Sequence, residues 1–111
     1  MLEKSVIDHS TVFNPVELNE YAKGGIVSQE LVHSDAGSIT VFAFDKGQRL
    51  SEHSAPFDAV VQVLEGTGEY IIDGKSHELH AGEMIVMPAN VTHAVNAITA
   101  FKMMLVMIKG K

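Results

Sequence analysis

GQRLSEHSAPFDAVVQVLEG, from Gly47 to Gly66, is the stretch that decides the fold. In it, His53 follows a polar segment, and a run of β-forming residues then ends at a glycine. A second stretch, GEMIVMPANVTHAVNA from Gly82 to Ala97, repeats the order of glycine, apolar strand, proline and histidine. The histidines of the two stretches, His53 and His93, are therefore the first candidates for functional residues.

Around these stretches the chain has the pattern of an all-β protein. Short runs of β-forming residues are separated by turn residues about every 8–12 positions, which is typical of a sandwich or barrel. Asp73-Gly74 predicts a tight hairpin turn of type I′. The predicted strands cover residues 26–33, 39–45, 60–65, 69–73, 76–79, 84–87, 91–97 and 101–108.

The first 24 residues differ from the rest and predict an extended arm followed by a short helix. Asn14 is a good N-cap, Pro15 suits the first helical position, and the helix is expected to end by Lys23 because two glycines follow. The expected organisation is an arm and short helix over residues 1–24 and one β-domain over residues 25–111.

Composition excludes several classes of function. The net charge of −6 makes nucleic acid and an anionic membrane surface unlikely partners. The absence of cysteine excludes disulfides, thiolate metal sites and a cysteine nucleophile. The longest apolar run, Met103 to Ile108, is too short to span a bilayer, and no secretory signal is recognisable, so a cytoplasmic protein is expected.

Together, the two stretches resemble the two signature motifs of the cupin superfamily. The resemblance covers roughly residues 25–108 and implies a small jelly-roll β-barrel of the RmlC-like cupin type. The matching positions are Gly47, His53, Glu65, Gly66, Gly82, Pro88 and His93. Four positions depart from the pattern: Ala55 replaces a histidine, Ala59 a glutamate, Asn90 a glycine and Ala97 an asparagine.

The resemblance also implies which side chains line the barrel. In cupins, positions 53, 55, 59 and 93 point inward, and the alternation of a strand extends this set by steps of two residues. The predicted lumen contains His53, Ala55, Ala59, Val61, Val63, His93, Val95 and Ala97. Because interiors are close-packed, the volume left by the alanines is expected to hold water, a ligand, or the side chains of Met87, Met103 or Met104. The predicted ligand pocket is His53, Ala55, Ala59, Val61, Val63, Met87, His93 and Val95.

Two functions from different classes remain open. Cupins typically hold iron, manganese, nickel, copper or zinc with three histidines and a glutamate, and only His53 and His93 of that set are present. The favoured interpretation is a metal-free module that binds a small, partly apolar molecule beside the two imidazoles. The alternative is a metal-dependent enzyme of isomerase or dioxygenase type with a reduced two-histidine site. A structural dimer without a ligand is a third possibility, and no catalytic residue is assigned.

The last predicted strand, FKMMLVMI from Phe101 to Ile108, is apolar on both faces from Met103 onward. One face meets the lumen, so the other needs a cover. A homodimer is expected, and the N-terminal arm alone is the alternative cover. The remaining histidines, at positions 9, 33, 77 and 80, are interpreted as surface or turn residues, and Glu52, Asp58 and Glu65 as solvated charges.

Overall fold

The computed structural model describes residues 4–5 and 7–109, so the parts of the predicted arm and β-domain at residues 1–3, 6 and 110–111 lie outside the described residues. The all-β prediction is confirmed. The strands are β1 Lys4–Ser5, β2 Ile26–Ser34, β3 Gly37–Phe44, β4 Arg49–His53, β5 Asp58–Glu65, β6 Thr67–Ile72, β7 Lys75–His80, β8 Met84–Met87, β9 His93–Ala97 and β10 Phe101–Ile108. No helix in these ranges is long and apolar enough to cross a membrane.

The strands form two antiparallel sheets. The larger has the order β1-β2-β3-β10-β5-β8 and the smaller the order β4-β9-β6-β7. Their inner faces enclose the core, as in a jelly roll, but the pairing among the described strands does not close the two sheets into one continuous barrel. The hairpin between β6 and β7 turns at Asp73 and Gly74, both with positive φ (51° and 79°), so the predicted type I′ turn is confirmed.

The predicted short helix is confirmed in position, with Asn14 as its cap: the Val16 N–H donates to Asn14 Oδ1 over 3.3 Å. It is a single 3-10 turn, Pro15–Glu17, and ends well before Lys23. Tertiary contacts explain the early end, because buried Asn19 instead donates its Nδ2 to the carbonyls of Val27 (3.2 Å) and Val41 (3.0 Å). These two side-chain bonds attach the chain to β2 and β3 just after the helical turn.

The core lies between the inner faces of the sheets. Phe44 and Phe101, both fully buried, stack with ring centroids 4.7 Å apart, and buried Tyr70 meets Phe101 edge-on at 6.4 Å. The Tyr70 hydroxyl donates to the Met103 sulfur over 2.9 Å, which satisfies it in an apolar interior. The buried cluster consists of Phe44, Ala59, Val61, Val63, Tyr70, Leu79, Met87, Val95, Ala97, Phe101 and Met103.

The outer face of the larger sheet is covered only in part. Residues 7–25, called here the N-terminal segment, lie over the start of β10, where Lys102 Nζ donates to the Val16 carbonyl over 2.7 Å and the Tyr21 hydroxyl donates to Glu65 Oε2 over 2.6 Å. Farther along this face, Met84 and Val86 on β8 remain 59% and 55% exposed. Residues 7–25 therefore do not cover the whole of this apolar face.

Candidate functional site

The two motif histidines lie side by side on neighbouring strands. β4 pairs antiparallel with β9, and His53 and His93 are direct partners after a register shift that follows Leu50. Direct partners in an antiparallel pair project from the same face. The ring centroids are 4.3 Å apart with planes at 70°, and the two Nε2 atoms are 3.1 Å apart. The motif positions therefore converge, as the resemblance implies.

The other ring nitrogen of each histidine contacts a backbone carbonyl. His53 Nδ1 lies 2.9 Å from the Ser51 oxygen, and His93 Nδ1 lies 3.3 Å from the Val91 oxygen. A carbonyl oxygen only accepts, so each of these contacts is a hydrogen bond when Nδ1 carries the proton, and a neutral ring of that tautomer presents a lone pair at Nε2. Two lone pairs at hydrogen-bond distance repel unless one proton or one cation lies between them. The pair is thus arranged to share a single electrophile.

The pair spans the boundary between solvent and core. His93 is only 7% exposed, and burial lowers its pKa, as does the neighbouring His53, while the hydrogen bond to Val91 opposes the shift. His53 is exposed. A lowered pKa keeps His93 neutral near pH 7, which leaves its Nε2 lone pair available to a cation. The exposed ring leaves one side of any bound ion open to water.

Two loops bring the histidines together: the loop 54–57 after β4 and the corner 88–92 before β9. The Asn90 N–H donates to the Ala55 carbonyl over 2.7 Å, and the Ala89 N–H donates to Asp58 Oδ1 over 2.9 Å. Asn90 has φ of +65° at the position where the cupin pattern has glycine, and asparagine is a residue that tolerates this conformation. The departure from the pattern at Asn90 therefore leaves the corner intact.

Asp58 is exposed, as expected for a solvated charge, and Glu65 is half-buried; both also accept hydrogen bonds that the sequence does not predict. Asp58 accepts a hydrogen bond from the Ala89 N–H, and Glu65 accepts one from the Tyr21 hydroxyl. Both hydrogen bonds are exposed to solvent. Sequence patterns miss such bonds because each joins segments that are distant in the chain. Glu52 has no hydrogen bond among the residues that the structure describes, in keeping with its interpretation as a solvated charge.

Most residues of the predicted pocket lie in the packed interior. Six are buried: Ala59, Val61, Val63, Met87, His93 and Val95. Ala55 is half-buried beside exposed His53. Met87 and Met103 help to fill the interior, as expected, whereas Met104 pairs with Gln62 on the outer face and does not. Binding of a ligand by these eight residues stays a prediction.

A metal ion would find two nitrogen donors here. Two nitrogens 3.1 Å apart can both lie about 2.1 Å from one ion, at an angle of about 95° between them, so they fit neighbouring coordination positions. Within residues 4–5 and 7–109, no group of three or more His, Cys, Asp or Glu side chains is arranged to hold a metal. The chain thus supplies half of the four-ligand set that the resemblance implies, and water or another ligand has to supply the rest.

The other histidines do not join the pair. His33 Nδ1 contacts Glu30 Oε2 over 3.1 Å, and His80 Nδ1 contacts the Thr67 hydroxyl over 3.2 Å. His9 and His77 are exposed. These positions agree with the interpretation of the four histidines as residues outside the site. His33, His77 and His80 lie on strands, however, and not in turns.

Comparison with known proteins now identifies the family. Residues 40–109 match the family described as "Cupin domain". The chain belongs to the cupin-domain family. No significant match was found among curated proteins.

Solved structures support the assignment of this cupin. A conserved protein of unknown function from Streptococcus pyogenes is 38% identical, with a TM-score of 0.88, over 95% of this chain and 92% of that one. A Cupin 2 conserved barrel domain protein from Leptotrichia buccalis is 47% identical, with a TM-score of 0.85. The match covers 87% of this chain and 47% of the Leptotrichia chain. A salicylate 1,2-dioxygenase variant from Pseudoaminobacter salicylatoxidans (21% identity, TM-score 0.71, 76% of this chain and 26% of that one) shares the fold alone.

Proposed function

We propose that this cupin binds one divalent transition-metal ion through Nε2 of His53 and Nε2 of His93, and offers the remaining coordination positions to a small ligand. The observation that carries the proposal is the convergence of the two Nε2 atoms at 3.1 Å while both Nδ1 atoms are held by carbonyls. Carbonyl contacts of this kind fix the tautomer and orientation of metal-binding histidines.

Near neutral pH a shared proton is disfavoured, which leaves the Nε2 lone pair of His93 available to a metal ion. Sharing a proton would place a charge beside His93, and burial disfavours that charge and lowers the pKa of the ring. A metal ion can instead keep water molecules on the exposed side, next to His53. Among zinc, nickel, iron, manganese and copper, imidazole donors favour copper(II) most, followed by nickel and zinc.

A bound ion would supply Lewis-acid activation of a ligand oxygen or of water. The chain itself would contribute the two imidazoles that hold the ion. The methyl groups of Ala55 and Ala59 stand where the family pattern has a histidine and a glutamate. Isomerase and dioxygenase activities are the enzymatic forms of this proposal. Neither has a further residue assigned to it.

The test is metal titration of the chelator-treated protein, followed by calorimetry and by elemental analysis after dialysis. We expect one ion per chain in the wild type, and its loss in His53→Ala and in His93→Ala. His77→Ala is the matched control, because His77 is an exposed histidine on β7. Absence of binding in the wild type, or binding that survives both site substitutions, would overturn the proposal.

A second candidate is metal-free binding of a small, partly apolar molecule beside the imidazoles. The half-buried methyl group of Ala55 favours it, because it presents apolar surface beside His53 where the family pattern has a histidine. A ligand hydroxyl would donate to Nε2 of either ring. A metabolite panel screened by thermal shift in the presence of EDTA tests this candidate, and hits unaffected by His93→Ala would contradict it.

We further propose that a second copy of the chain covers the rest of the outer apolar face. Register places Val86, Val60 and Val106 in one row across β8, β5 and β10, and Met84 and Met104 in the neighbouring row. No charged side chain lies within these rows on the three strands. Two copies can therefore meet without burying like charges, which would be costly.

The dimer is tested by light scattering coupled to gel filtration. Val86→Glu places a charge on β8, at the exposed edge of this face, and is expected to shift the protein to monomer. Ile98→Glu is the control, because Ile98 is 42% exposed but lies between β9 and β10. A wild-type monomer, or equal dissociation by both variants, would contradict this interface.

A further inference from the structure

We infer that Asp58 is a positioning residue that fixes the distance between Nε2 of His53 and Nε2 of His93. The inference rests on the proposed function, since it explains how the donor pair is kept in register. Asp58 is the first residue of β5 and contacts neither ring; it acts through the loops that carry them.

The position of His53 needs such support. His53 is the last residue of β4, and β4 pairs only with β9 among the described strands. The register of that pairing shifts between Leu50 and His53, so an irregularity separates the pairing of His53 with His93 from the rest of the ladder. The histidine is also exposed, so core packing does not fix its ring.

Two hydrogen bonds support the chain just beyond this irregular end of β4. Consecutive amides of the corner 88–92 bind the loop after His53: Asn90 N–H donates to the Ala55 carbonyl over 2.7 Å, and Ala89 N–H donates to Asp58 Oδ1 over 2.9 Å. The first bond is made by the backbone whatever the side chain at position 55. The second joins the corner to the side chain of Asp58, directly after the loop, and a carboxylate acceptor makes it stronger than a neutral one.

Two substitutions of Asp58 distinguish the effect of its hydrogen bond from the effect of its negative charge. Asp58→Asn removes the negative charge but keeps an Oδ1 acceptor, whereas Asp58→Ala removes both. Glu52→Ala is the matched control, because it removes a carboxylate adjacent to His53 that makes no hydrogen bond within the described chain. A purely electrostatic influence would make the Asn and Glu52 variants resemble Asp58→Ala.

The experiment has two readouts, taken well below the Tm of each variant. The first is zinc affinity by calorimetry; outer-shell partners typically change metal affinity 10–100-fold, so we expect a loss of about tenfold or more in Asp58→Ala, and less than about twofold in Asp58→Asn and Glu52→Ala. The second is the NOE between the His53 and His93 ring protons in the metal-free protein. We expect it in the wild type, Asp58→Asn and Glu52→Ala, and its loss in Asp58→Ala.

The two readouts keep this inference distinct from the proposed function. If the wild type binds no zinc, the metal proposal fails, and the NOE comparison still decides the role of Asp58. An Asp58→Ala variant that loses stability but keeps the ring-to-ring NOE would overturn the inference. So would an Asn variant that behaves like Ala, a Glu52→Ala variant with the same loss, or a wild type without the NOE.

Discussion

Gly68 is the position where a single methyl group tests the packing of the interior most sharply. A Cβ atom at this residue would lie 2.7 Å and 2.8 Å from two ring carbons of Phe101, whereas ordinary contact begins at 3.4 Å. The ring would have to move by at least about 0.7 Å, yet it is fully buried and stacked on Phe44 at 4.7 Å. We therefore expect Gly68→Ala to destabilise the fold.

The magnitude follows from two opposing effects. Overpacking a well-filled core costs about 1–3 kcal/mol, and the pinned ring places this site in the upper half of that range. Replacing glycine by alanine in a strand returns about 0.5–1 kcal/mol through the entropy of the unfolded chain. The net loss is about 1–2.5 kcal/mol, or about 4–10 °C in Tm for a chain of this size.

The assay is urea unfolding with Gly25→Ala as the matched control. At Gly25 the nearest atoms to an added Cβ are 3.6 Å and 3.7 Å away, so the same substitution meets no clash and should stabilise by about 0.4–1 kcal/mol. In a Phe101→Leu background the cost of Gly68→Ala should shrink, because the opposing ring is gone. Equal effects at Gly25 and Gly68, or an unchanged cost in the Phe101→Leu background, would refute the reasoning.

Three further predictions concern the N-terminal segment and the site. Asn19→Ala should cost about 1–3 kcal/mol in urea unfolding, because it leaves the Val41 carbonyl without its buried donor; a loss no larger than that of an exposed polar residue would contradict this. Folding lowers the pKa of His93 from 6.5, so on acidification the unfolded chain binds a proton at this residue before the folded chain does. The free energy of unfolding should therefore fall as the pH drops below about 6.5, and it should level off below the pKa of the folded state. His93→Gln should remove that part of the pH dependence, and an unchanged profile would contradict it. Ala55→His should tighten zinc binding at least about tenfold by adding a third donor, whereas Ala94→His, on the opposite face of β9, should not.

The sequence predicts the elements whose pattern is set by burial. The bounds of β8 and β10 agree with the predicted ones, because apolar runs end there at turn residues. Strand β4, Arg49–His53, escapes prediction because four of its five residues are exposed and it shows no apolar alternation. The length of the helix after Pro15 is overestimated from the sequence. The Asn19 side-chain amide donates to carbonyls of β2 and β3, and no local sequence pattern reveals these long-range hydrogen bonds.

At the site, the sequence predicts which residues meet but not how their atoms are arranged. Motif spacing brings His53 and His93 to paired strands, as expected. Their tautomers depend on the Ser51 and Val91 carbonyls, and the contact of Asp58 depends on a corner 31 residues away in the chain. These details arise from backbone geometry at loop ends, where residue type constrains conformation only weakly.

The most direct measurement of the central claim is the ¹⁵N NMR spectrum of the imidazole nitrogens near pH 8, before and after one equivalent of zinc. If the two rings are joint donors, His53 and His93 both carry the proton on Nδ1 in the metal-free protein, and both Nε2 resonances shift together on addition of the metal. A proton on Nε2 of either neutral ring, or a shift confined to one of the two histidines, would contradict the account.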